Sequence, residues 1–152
     1  ASIVFQGAIE ICVGDVTCSL MHVGGDHAAD SCIAHVAPDG VVFLGDCLYD
    51  AIYTPVRHYT AARLLPLLDT LTQLDGAYWI EGHTPSIMAS AEFQALTAKM
   101  RLAAVLVERL GADEAAVLSA ARTDGHEVDA DFEDVLHGLI AGHTLTGSTR
   151  LP

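Results

Sequence analysis

Three short segments each place a residue able to bind a metal just past an apolar, strand-like run. They are Gly25-Asp26-His27-Ala28-Ala29-Asp30-Ser31, Phe43-Leu44-Gly45-Asp46-Cys47 and Glu81-Gly82-His83-Thr84-Pro85. Imidazole and carboxylate are the donors that zinc and its neighbours prefer, and loops at strand ends let a rigid sheet aim such donors at one point. His27 follows Gly24 and Gly25, which permit a tight backbone path, and the flanking acids Asp26 and Asp30 are expected to orient its ring by accepting the second N–H. Each residue alone has a blander reading, a solvated loop histidine for His27 and an N-cap or turn aspartate for Asp46.

The other potential donors lack this placement. His22 and His35 lie within strand-like runs, His58 begins a helical stretch, and His126, His137 and His143 fall in the helical tail. His137 and His143 are six apart, an offset that does not align two ligands on one helix face, and all of these are read as structural. The cysteines stand at 12, 18, 32 and 47 with no CxxC pair. Cys12, Cys18 and Cys32 sit inside apolar segments and are expected as buried free thiols, with disulfides and a zinc–thiolate site as the alternatives. Cys47 follows Asp46 and so lies near whatever Asp46 binds.

Elements must bring the three segments together. Strand-like runs occur at 3–5, 8–13, 16–23, 31–36 and 41–45, enriched in β-branched or apolar residues and punctuated by Gly14-Asp15 and Pro38-Asp39-Gly40. The Pro-Asp-Gly turn predicts an antiparallel hairpin of 31–36 with 41–45. Leucines at spacings of three and four predict a helix over about 58–73, with Pro66 inside it, before a strand at 77–80. Strand, helix, strand at this distance is a βαβ crossover, so 41–45 and 77–80 are expected to pair in parallel. Asp46 and His83 then emerge on one edge of the sheet, and the hairpin returns His27 to the same edge. Helices follow at 86–110, from 113 to about 122, and from about 130 to 141, with a frayed polar tail at 146–150.

A chain of 152 residues, 51% of them hydrophobic, can bury a core as a single compact unit. Twenty acidic residues against seven basic ones give a net charge of −13, which argues against nucleic acid or anionic membrane as a partner. No apolar run approaches the ~18–20 residues that span a bilayer, and the expectation is a cytoplasmic protein. The first residue is Ala1, as expected of a processed or trimmed start.

The run from Gly25 to Ser31, the hairpin through Pro38-Asp39-Gly40, the strand ending in Gly45-Asp46 and the later Gly82-His83 together resemble the C-terminal half of the metallo-β-lactamase superfamily. The resemblance covers about residues 1–85. It implies an α/β fold, the C-terminal half of an αββα sandwich with a mixed sheet and flanking helices, plus a helical C-terminal tail. On that division, 1–111 is the half domain and 112–152 the helical extension packed on it. It further implies that His27 ligates a first metal, that Asp46 bridges two, and that His83 ligates the second. The metals implied are zinc, two per complete site, with manganese and iron as alternatives. The family's other motif, His-x-His-x-Asp-His, occurs nowhere in the chain and is expected upstream of Ala1.

The function the resemblance implies is the C-terminal portion of a metal-dependent hydrolase acting on a small molecule, with metal-activated water attacking an ester, amide or phosphoester-type bond. Without the N-terminal half the chain is expected to be inactive. Two alternatives stand beside it: a catalytically dead interaction domain, and a metal site completed by homodimerisation. Half a sandwich also leaves one sheet face bare, an independent motive for a homo-oligomer or for docking of the N-terminal half. Residues 47–57, with Tyr49, Tyr53 and Arg57, are the expected substrate-facing segment, or else a packed connector.

Overall fold

The computed structural model describes residues 3–147, and within them the chain forms one mixed α/β unit. Its strands are β1 (Ala8–Val13), β2 (Val16–His22), β3 (Cys32–Ala37), β4 (Val41–Gly45), β5 (Tyr78–Glu81) and β6 (Ile87–Ala89). Its helices are α1 (Ala61–Leu71), α2 (Ser90–Leu110), α3 (Glu114–Thr123) and α4 (Ala130–Gly147). The six strands lie side by side in chain order. Every neighbouring pair is antiparallel except β4 and β5, which run parallel with α1 as their crossover.

Both predicted pairings, the 31–36/41–45 hairpin and the parallel strands flanking the helix, are therefore present. Several boundaries differ. Residues 3–5 form no strand, and Ile3 and Val4 are exposed, because no neighbouring strand offers them a ladder. The helix predicted over 58–73 spans only 61–71, so His58 precedes it, and Pro66 sits on its exposed side, where a missing N–H costs least. The segment 87–89 pairs with β5 before α2 begins, a strand too short to leave a periodic signal. The last helix runs to Gly147, and 148–150 of the expected frayed tail lie outside the described residues.

The core lies between one sheet face and the helices. Ile33, Val42, Leu44 and Trp79 meet Leu64, Leu68 and Leu71 of α1, Phe93, Met100 and Val107 of α2, and Phe132, Leu136 and Leu139 of α4 in one continuous cluster. Trp79 and Phe93 stack face to face, 3.5 Å apart and 5° from parallel. This core draws on residues either side of position 111. Among the described residues no helix is long and apolar enough to cross a membrane.

Among the described residues no helix packs on the other sheet face. The strand registers align Ile9, Leu20, Ala34, Phe43, Ile80 and Ile87 in one row across all six strands, and Ile11, Cys18, Val36, Val41, Tyr78 and Ala89 in the next. No residue in either row carries a charge, and Phe43, Tyr78 and Ile87 are 44%, 52% and 61% exposed. All four cysteines are free, but only Cys47 is buried. The expectation of buried thiols fails for Cys12 and Cys32, because β1 and the first residue of β3 lie where no helix covers the sheet.

Candidate metal-ligand site

The parallel pairing of β4 with β5 brings Asp46 and His83 to one edge of the sheet. Gly45 ends β4 with φ of 54°, a left-handed conformation that turns the chain so that Asp46 leaves the strand. Gly82 N–H then donates to the Gly45 carbonyl at 2.9 Å, holding the two loops together. A Cβ on Gly82 would collide with Oδ1 of Asp46, so the absence of a side chain there is what lets the carboxylate lie across the loop. The loop after β2 delivers His27 to the same place.

The two predicted histidines converge on the third predicted residue, Asp46. His27 Nε2 stands 3.5 Å and His83 Nε2 3.4 Å from Oδ2 of Asp46. Two donors each about 2.0–2.1 Å from a tetrahedral zinc are about 3.3 Å apart, so both pairs have the spacing of ligands that share a metal. Among the described residues no group of three or more His, Cys, Asp or Glu side chains is arranged to hold a metal ion. The donor set is thus two pairs meeting at Asp46, and neither pair fills a coordination shell.

The hydrogen bond on the far side of His27 fixes its chemistry. Nδ1 lies 3.2 Å from the main-chain carbonyl of Asp50, and a carbonyl only accepts, so Nδ1 carries the proton. In the neutral ring the Nε2 lone pair then faces the Asp46 carboxylate, acceptor toward acceptor, an arrangement that a cation between them would stabilise.

Asp50 takes the orienting role expected of Asp26 and Asp30. The buried Asp26 carboxylate accepts instead from the backbone N–H and the hydroxyl of Thr60, both at 2.7 Å, at the start of α1, with Arg63 3.8 Å away. Thus it pins the His27 loop to the positive end of a helix. Asp30 is exposed. A main-chain carbonyl leaves no mark in a sequence, so no residue-type signal singles out Asp50.

A cavity of about 310 Å³ adjoins the three residues, lined by His27, Tyr49, Asp50, Ile52, Arg57 and His83. The Tyr49 ring stacks on His83 with centroids 5.7 Å apart, and Tyr53 meets His27 edge-on at 5.6 Å. Segment 47–57 therefore both packs and lines the cavity. Burial, with the charges of Glu81 and Asp46 adding to it, pushes the Cys47 thiol up to about 12. In the metal-free chain it therefore stays protonated at neutral pH.

Of the six remaining histidines, His126 is exposed and the other five have neighbours elsewhere. His22 and His35 donate to the Ala29 and Asp75 carbonyls at 2.8 and 3.2 Å, and His58 to Val56 at 2.8 Å. His137 stands 3.3 Å from Glu114, and His143 lies by Gly111. None shares a contact with His27, Asp46 or His83.

No model of a known protein family matches the chain, and no curated protein matches it.

Proposed function

We propose that the chain carries part of the centre of a metal-dependent hydrolase of the metallo-β-lactamase type. The observation that carries this reading is the pair of imidazole nitrogens, 3.5 and 3.4 Å from a single carboxylate oxygen. In it His27 would hold one metal, His83 would hold the other, and Asp46 would offer its carboxylate to both. When bound, such metals, zinc foremost, activate water for attack on an ester, amide or phosphoester bond. The chain's own residues supply the rest: the Asp50 carbonyl holds His27 in its Nδ1–H form, Tyr49 braces His83, and the adjoining cavity takes the small-molecule substrate.

Three donors cannot complete two metal shells, and the resemblance implies that the remaining ligands come from a further segment bearing the His-x-His-x-Asp-His pattern. That segment belongs to a second apolar sheet seated on the bare face. Two rows across six strands cover roughly 25 Å by 15 Å, several hundred Å², comparable to the largest apolar patch of a typical lone domain. A catalytically silent interaction domain would account for the bare face, but it has no use for two imidazoles aimed at one carboxylate.

Zinc titration calorimetry on the 152-residue chain tests the reading. The wild type is expected to bind zinc without hydrolysing chromogenic ester, lactam or phosphodiester substrates. His27→Ala and His83→Ala should each weaken zinc binding about 10-fold or more, and His126→Ala, an exposed histidine away from the site, should leave it unchanged. Equal binding in all four chains would overturn it.

A further inference from the structure

The loop following Asp46 is tied to itself far more tightly than a connector needs. Ala51 N–H donates to the His58 carbonyl at 2.9 Å, and the Thr54 hydroxyl lies 2.8 Å from both the Ala51 and Val56 carbonyls. The strongest tie is ionic. Arg57 Nε and Nη2 donate to the two oxygens of Asp50 at 2.8 and 3.0 Å, a side-on, bidentate pair. The Asp50 side chain is buried, while that of Arg57 is largely exposed at the cavity mouth. The residue that Arg57 grips by its side chain is the one whose main-chain carbonyl holds His27 Nδ1.

We infer that Asp50 and Arg57 form a clamp that sets the tautomer and direction of the His27 ring, making Arg57 a positioning residue for a donor it does not touch. This rests on the reading of His27 as a metal ligand only for its consequence; the clamp itself is a property of the metal-free chain. Both forks of the carboxylate are occupied, so Asp50 can neither rotate nor slide without breaking a charge-assisted bond, and its carbonyl stays aimed at Nδ1. Nε2 is thereby left free and turned toward Asp46. Arg57 stays cationic throughout, because the hydrogen bonds and charge of Asp50 raise its already high pKa.

Two-bond nitrogen–proton NMR spectra of the histidine rings, recorded on the metal-free chain at alkaline pH, read the tautomer directly. Wild type is expected to show His27 with its proton on Nδ1. Arg57→Ala should shift the ring toward a mixture with the Nε2–H form and weaken zinc binding about 10-fold, and Arg57→Lys should restore part of both. An Arg57→Ala chain that keeps the wild-type tautomer overturns the inference, whatever its stability. If wild type binds no zinc but the tautomer still shifts in Arg57→Ala, the clamp stands and the metal reading falls.

Discussion

At the scale of single residues, the site depends as much on what is missing as on what is present. Gly82 is exposed, and its substitution removes no core contact, yet a methyl group there would strike Oδ1 of Asp46. Gly82→Ala is therefore expected to move the carboxylate off the two imidazoles while leaving the fold in place. Calorimetry should show zinc affinity falling about 10-fold, with a thermal midpoint within a few degrees of wild type. A chain that loses stability and keeps its zinc affinity would show that Gly82 serves the fold and not Asp46. His27, Asp46 and His83 were legible in the sequence because each follows an apolar run, where the end of a strand can be placed. Their supports were not: Asp50 acts through a backbone carbonyl, and Asp26 bonds to Thr60, 34 positions away.

At the scale of elements, the C-terminal helix reaches the site through one tyrosine. The Tyr59 N–H donates to the Gly138 carbonyl at 3.0 Å, and the Tyr59 hydroxyl donates to Leu48 at 3.2 Å, two residues from Asp46. Burial pushes the Tyr59 phenol well above its usual range, so the hydroxyl remains a donor at any ordinary pH. Gly138 and Gly142 let α4 approach this closely, since a Cβ at either position would meet the Tyr59 ring or its carbonyl. Gly142→Ala is expected to destabilise the chain by about 1–3 kcal/mol, read from urea unfolding, because backbone cannot retreat as a flexible side chain would. A neutral or stabilising outcome, as helix propensity alone would give, would mean that α4 does not bear on Tyr59. Elements with strong periodicity, the hairpin, the parallel pair and the helices, were legible in the sequence. The short β6 and the trimmed ends of α1 were not, because pairing and packing decide them.

At the scale of the whole molecule, the helices pack on one side of the sheet and, among the described residues, leave the other exposed. The helices cover Ile33, Val42, Leu44 and Trp79, while the rows through Phe43 and Tyr78 face outward with no charge among them. In a chain with net charge −13 that absence is not a matter of composition. Phe43→Lys is expected to lower binding of an apolar fluorescent dye several-fold without lowering the thermal midpoint, because Phe43 is 44% exposed and outside the helix-covered core. Unchanged dye binding, or a collapse of the fold, would mean that this face is already covered or is part of the core.

Everything proposed for function rests on which atoms surround a bound metal. X-ray absorption at the zinc edge of the zinc-loaded chain observes them directly. The expected spectrum has only nitrogen and oxygen neighbours at about 2.0–2.1 Å, with the outer-shell scattering of imidazole rings reduced in both His27→Ala and His83→Ala. A sulfur neighbour at about 2.3 Å, or imidazole scattering that survives both substitutions, would contradict it.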